Sequence, residues 1–123
     1  MYNLKIAEEF YNDLTDIVVY ISNILYNVDA AISLQNKVNL AFDKVVKNPS
    51  FYPLLKSKQV FEYEYRYVYV GNYYMIYHYD NENVYIARLI YAKRDFDNLA
   101  VWSKSKLKMQ VSTSNSYGTL LKE

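Results

Sequence analysis

Few side chains of this sequence can do acid–base chemistry. His78 is the only histidine, and there is no cysteine. A histidine titrates near neutral pH, which makes His78 the candidate general acid or base. A lone histidine in a strand-like run is also an ordinary cross-strand packing residue, and that reading weighs about twice as much. Lys93 and Arg94 end the same run and can stabilise charge on a phosphate. Lys104, Lys106 and Lys108 are further phosphate-contact candidates, set against the common case of a solvated charged face. Tyr65, Tyr67, Tyr69, Tyr74 and Tyr91 can stack bases, as RNA-binding surfaces do. Tyrosine occurs 16 times along the chain, so part of that richness is compositional bias. Glu62 and Glu64 share a strand face, but nothing indicates the cleft that paired-carboxylate chemistry needs. One histidine and no cysteine make a zinc site improbable. Two glycines cannot build a Gly-rich phosphate loop. No metal and no cofactor are expected.

These candidates are positioned by residues 59–94. Tyr63, Tyr65, Tyr67 and Tyr69 alternate with Glu64, Arg66 and Val68, the period of a strand. Gly71 and Asn72 break the run, and a second polar break spans residues 80–83. Two short breaks between three apolar runs predict two hairpins and a three-stranded meander. The first loop sets Val70 opposite Tyr73, Val68 opposite Met75 and Arg66 opposite Tyr77. The second sets Tyr79 opposite Val84, Tyr77 opposite Ile86 and Met75 opposite Arg88. Directly opposed residues share a face. One face then carries Val68, Val70, Tyr73, Met75, Tyr77, Val84, Ile86 and Ile90, with Arg66 and Arg88 among them, and looks like core. The other carries Tyr65, Tyr67, Tyr69, Tyr74, Ile76, His78, Tyr85, Ala87, Leu89 and Tyr91. The two arginines are expected to pair with helix carboxylates such as Asp13, Asp16 or Asp43 or to snorkel at the sheet edge, a reading favoured over phosphate binding.

The rest of the chain supplies a support. Residues 3–7 read as a short strand. Residues 8–26 read as a helix with Phe10, Leu14, Ile17, Val18, Ile21 and Leu25 on one stripe. After a two-residue link, Asp29 is a suitable N-cap for a second helix striped by Ala31, Leu34, Val38, Ala41, Phe42 and Val45. Asn48 and Pro49 stop it. Phe51, Tyr52, Leu54 and Leu55 are expected to tuck under this helical hairpin. Residues 95–110 are compatible with a short helix, and residues 112–123 read as a polar tail after a single domain, 1–111. The order strand, two helices, three strands is α+β: a helical hairpin on a small antiparallel sheet.

A length of 123 residues suits one core, and 52% hydrophobic with 22% charged residues indicates a globular chain. Absence of cysteine fits a reducing cytoplasm. No apolar run reaches membrane-spanning length, and the N-terminus lacks the layout of a signal peptide. Residues 1–50 hold four Lys/Arg against six Asp/Glu, a balance of −2, and residues 51–123 hold ten against seven, +3. The sheet half is mildly basic, well short of a typical nucleic-acid binder.

The sequence resembles the RelE/ParE superfamily of bacterial type II toxin–antitoxin toxins over residues 2–96. The resemblance is carried by Ala7, Asp13, Leu14, Ile17, Tyr20 and Ile21, by Asn48 and Pro49, and by Tyr65-Arg66-x-Val68-x-Val70-Gly71-Asn72-Tyr73. Ile76 and Tyr77, then Ala92-Lys93-Arg94-Asp95, complete it. It implies a small toxin held silent by a cognate antitoxin, in a heterotetramer as one assembly. RelE-like members cut mRNA on the ribosome, whereas ParE-like members poison DNA gyrase. Where RelE-like nucleases place an arginine on the third strand this chain has Tyr74, and where they carry charged residues on the preceding strand it has Tyr65 and Tyr67.

The first expectation is a ribosome-dependent mRNA endonuclease. Arg94, helped by Lys93, would stabilise charge, His78 would move the proton, and Tyr65, Tyr67 and Tyr74 would stack bases beside Lys104 and Lys106. The alternative is a non-nucleolytic toxin of DNA gyrase, or a degenerate member that only binds its antitoxin. The tyrosine face is also expected to anchor the antitoxin through Tyr69, Tyr74, Ile76, Leu89 and Arg94, with a segment disordered when free folding over it or over the helical hairpin.

Overall fold

The computed structural model describes residues 1–56 and 61–93. Arg94, Lys104, Lys106, the short helix expected within 95–110 and the tail 112–123 lie outside the described residues. Within them the order is β1 (Asn3–Ile6), α1 (Glu8–Val19), a π-helical turn (Tyr20–Ile24), α2 (Val28–Lys47), β2 (Arg66–Val70), β3 (Tyr73–Tyr79) and β4 (Asn83–Tyr91). This is the expected α+β arrangement, two helices on one face of a small sheet.

The sheet runs β1-β4-β3-β2. The first strand joins it, but parallel to β4, so the sheet is mixed rather than purely antiparallel. Two helices carry the chain to β2 at the far edge, and the meander β2-β3-β4 then brings β4 back alongside β1 in the same direction.

α1 places Glu8 and Glu9 in its first turn, where carboxylates favour the positive end of the helix dipole. Its stripe is buried at Phe10 and half-buried at Leu14 and Ile17. The single predicted helix over 8–26 instead loosens after Val19. The N–H of Leu25 reaches back to the Tyr20 carbonyl at 3.1 Å, and Tyr26 turns at φ 53°. Leu25 therefore leaves the stripe and is exposed. The cap of α2 is Asn27 rather than Asp29: its side-chain oxygen accepts the Ala30 N–H at 3.0 Å. Asp29 lies two residues beyond the cap and adds only a first-turn charge.

The β2–β3 register is the predicted one, closed by Gly71 at φ 58°, a left-handed turn that glycine adopts without steric cost. Between β3 and β4 the prediction holds for Tyr79↔Val84 and Tyr77↔Ile86 and then slips. Ile76 faces Arg88 and Met75 faces Leu89, because a bulge inserts one residue after Ile86. A one-residue shift exchanges faces. Leu89 thus joins Met75 and Tyr77 in the core under the helices, while Ile90 goes to the opposite side.

Two cores result. The larger lies between helices and sheet, from Phe10, Leu34, Val38 and Val45 to Met75, Val84, Ile86 and Leu89. Tyr77 is buried in it and donates its hydroxyl to the Pro49 carbonyl at 2.6 Å. The smaller lies on the other face, where Leu55, Phe61 and Tyr63 cover Tyr65, Ile76, Ala87 and Ile90. Tyr52 does reach the helix-side core, but Leu55 crosses to the other face, and Phe51 and Leu54 are exposed. The crossing is pinned by main-chain bonds from Leu55 N–H to the Tyr65 carbonyl and from Tyr67 N–H to the Pro53 carbonyl.

Candidate functional site

Three places hold chemistry-bearing side chains. The first is His78, 5% exposed. Strand alternation puts it on the aromatic face beside Tyr63 and Tyr85, whose rings stack on either side of it at 4.3 and 4.7 Å between centroids. Tyr65 meets it edge-on at 5.4 Å. Its Nε2 is buried without a hydrogen-bond partner. Burial therefore lowers its pKa to about 4, despite the opposing pull of the Asp80 carboxylate. Burial by itself would push the Asp80 carboxyl up, but the N–H groups of Glu82 and Asn83 and the Tyr85 hydroxyl hold it below the usual range. His78 also lines a pocket with Glu62, Glu64, Arg66 and Asp80, so stacking and burial favour the cross-strand packing reading without closing the residue off. The alternation that made it look catalytic is the alternation that buries it.

The remaining members of the tyrosine face divide. Tyr65 is buried, and burial, then the neighbouring Tyr63 hydroxyl and Glu62, raise its pKa far above the tyrosine range. It is thus unavailable to stack a base. Tyr67 and Tyr74 are half-buried, and their rings lie 4.6 Å apart. Tyr69 is 61% exposed, and its hydroxyl meets that of Tyr74 at 3.1 Å. That bond, ahead of burial, pushes Tyr74 up to about 12. Two proposed antitoxin anchors are not on the surface at all: Ile76 is fully buried beneath the covering segment, and Leu89 is in the core under the helices. Tyr91 likewise leaves the tyrosine face, since the bulge turns it toward Tyr73, 5.7 Å away. Lys93 is exposed just beyond β4. Among the described residues no group of three or more His, Cys, Asp or Glu is placed to hold a metal.

The second place is the bulge. Arg88, 5% exposed, donates Nε and Nη2 to the two carboxylate oxygens of Asp13 at 2.7 and 2.6 Å. Asp13 also accepts the Leu89 N–H at 2.9 Å. This is the expected pairing of a sheet arginine with a helix carboxylate. Arg66 does otherwise: it donates to the Tyr52 carbonyl at 2.6 Å and lies over the Tyr79 ring.

The third place is the end of the helical hairpin, offered above as the alternative antitoxin surface but without its residues. Val19, Tyr20, Ile24, Leu25, Tyr26, Val28 and Ile32 are all exposed there. A contiguous apolar surface on a small domain marks a partner site. The signal was legible: no charge occurs between Asp16 and Asp29, and residues that are apolar all round a short helix cannot all be buried.

With this fold on the page, residues 4–96 match the family model described as the ParE toxin of the type II toxin–antitoxin system parDE. No curated relative matches the chain. The match covers most of the sequence, and the chain belongs to the ParE toxin family, within the RelE/ParE superfamily. Membership makes it the toxin of a type II system and implies a cognate antitoxin as its partner. No helix among the described residues is long and apolar enough to cross a membrane.

Proposed function

We propose that this toxin acts by binding a protein target, DNA gyrase, rather than by cutting mRNA. The observation that carries the reading is His78, stacked between Tyr63 and Tyr85 with Nε2 buried. RNA cleavage needs a group that takes the 2′-hydroxyl proton and one that returns it to the leaving oxygen. The chain's single histidine has a buried Nε2 and, through burial, a lowered pKa, which make it a poor base for either step. Base stacking loses Tyr65 to the interior as well, and Tyr74 stands where a nuclease of the superfamily has its arginine. The family model is that of ParE toxins, and ParE-like members are the gyrase poisons of the superfamily. The exposed, uncharged end of the helical hairpin suits a protein partner better than a polyanion. Both action and silencing then take place in the bacterial cytoplasm, with the antitoxin bound, as a heterotetramer in one arrangement, until it is removed.

Two assays on the pure protein test this. Gyrase-driven supercoiling is expected to stop in its presence, while mRNA on translating ribosomes stays whole. His78→Phe is expected to remain as toxic to a bacterial host as the wild type. Cut mRNA together with unimpeded supercoiling overturns the reading.

A further inference from the structure

One exposed face of α2 has a pattern that mirrors itself about Ser33 with the charges reversed. Asp29 lies four residues before Ser33 and Lys37 four after it, and all three are exposed. Ala30 and Asn36 lie three residues to either side. Residues three, four and seven apart share one face of a helix. Leu40, seven residues after Ser33, is therefore on this face, and it is 59% exposed. Tyr26, seven residues before Ser33 and just ahead of the helix, is 87% exposed.

The fold of a single chain does not account for these residues. Among the described residues neither the Asp29 nor the Lys37 side chain has an ion-pair or hydrogen-bond partner. Tyr26 sits at φ 53°, a left-handed conformation that is sterically costly for a bulky side chain. It brings the monomer strain and almost no burial. Beside this face Ala30, Ser33 and Lys37 wall a groove of about 310 Å³ that extends to Gly71 and Asn72. A Cβ on Gly71 would meet nothing within 4 Å, so the groove is open there.

Charge decides what fits the face. A second α2 laid antiparallel across it, with the two-fold axis at Ser33, brings each Asp29 to the Lys37 of the other copy. A parallel copy would set Asp29 on Asp29 and Lys37 on Lys37. Ser33 is small enough for two helix backbones to approach. We propose that the free toxin pairs with a second copy of itself through antiparallel α2 helices crossing at Ser33, with Tyr26 of each copy lying over Leu40 of the other. Two-fold symmetry makes every contact twice. Exposed ion pairs contribute little and set the register, whereas Tyr26 and Leu40 supply the apolar burial. The interface is of the small, weak class, with micromolar affinity. Val19, Tyr20 and Ile24 of the preceding helix are not used, and the dimer does not depend on whether gyrase is the target.

The test uses the full-length toxin freed of antitoxin. Sedimentation equilibrium is expected to show monomer and dimer in exchange. Lys37→Glu sets like charges together twice and should weaken the dimer about tenfold. Asp29→Lys should do the same. The exchange of both, Asp29→Lys with Lys37→Asp in one chain, should restore wild-type dimerisation, which damage to the fold could not do. Tyr26→Gly relieves the left-handed strain, so it should weaken the dimer about tenfold without lowering monomer stability in urea. The chain has no cysteine, so a single one reports the axis. Ser33→Cys should oxidise to a cross-linked dimer at least about tenfold faster than Asn39→Cys, at an exposed α2 position turned away from this face. A wild type that stays monomeric at sub-millimolar concentration overturns the proposal. So does a dimer that the charge exchange fails to restore, or cross-linking no faster at position 33 than at position 39. The gyrase reading is decided separately by the supercoiling assay.

Discussion

The two faces of the sheet bury polar groups in opposite ways. On the helix face Arg88 is charged, and a carboxylate from α1 meets it in a two-point bond that also holds the bulge. On the aromatic face His78 is buried with no acceptor for Nε2, between rings that offer only stacking. One face keeps a charge by pairing it; the other keeps a titratable group by neutralising it. The lesson concerns function: a buried polar residue that is paired reads as architecture, whereas an orphan has to be asked whether it is sealed or waiting. Both residues line pockets, Arg88 beside Asp16 and Ile17 and His78 beside Glu64 and Asp80, while Nη1 and Nε2 themselves are buried.

The largest effect should come from breaking the pair. Asp13→Ala leaves a buried guanidinium uncompensated and frees the Leu89 N–H, a loss on the order of 3–5 kcal/mol. Urea unfolding measures it, and a loss below about 1 kcal/mol would mean that the pair is not what holds this face together.

The aromatic face should respond to acid. The unfolded chain takes up a proton at His78 near its ordinary value of 6.5, whereas the folded chain does so only near 4. Stability is therefore full above pH 6.5, falls as the pH drops toward 4, and levels off below. The difference corresponds to about 3 kcal/mol. Asp80 acts in a lower window, because its carboxyl is held below its ordinary 3.8 and its contribution is lost only as the pH falls through the folded value. His78→Phe should flatten the curve between pH 6.5 and 4 and leave the Asp80 limb in place. A variant curve parallel to the wild type would show that the imidazole is wet.

The smallest effect sharpens the contrast at the exposed edge of the same face. Tyr69→Phe removes a solvent-side hydroxyl contact and should cost under about 0.5 kcal/mol. It should also bring the Tyr74 pKa down from about 12 toward the ordinary 10, followed by NMR of labelled tyrosine rings. An unmoved Tyr74 would show that the hydroxyl pair does not form.

Much of the fold was legible because its signals are local. Alternation from Tyr65 to Val70 and two polar breaks set three strands and one register correctly as far as Ile86. Beyond it the run Ala87-Arg88-Leu89-Ile90 has no polar alternation, so nothing in it marks the inserted residue. The faces of Leu89, Ile90 and Tyr91 were misassigned for that reason. An arginine in an otherwise apolar run was the available hint, since it needs a carboxylate, and Asp13 both supplies one and stabilises the bulge. The covering segment was illegible because Leu55, Phe61 and Tyr63 have no period. Its long-range bonds, not its sequence pattern, put it over His78. The exposed residues of the hairpin end were not named for another reason: its stripe was read as wholly inward, which a π-helical turn does not allow.

The parallel pairing of β1 with β4 has a consequence for how the protein is made. Asn3 and Asn83 are partners, as are Ile6 and Ile86. The first strand to leave the ribosome must wait for about 80 further residues before its neighbour exists. At roughly 5–20 residues per second this is a delay of about 4–16 s. Throughout it the apolar faces of both helices lack the sheet that covers them. A nascent chain in that state is an incomplete poison, and an antitoxin already present in the cell has those seconds in which to meet its partner before the toxin is finished.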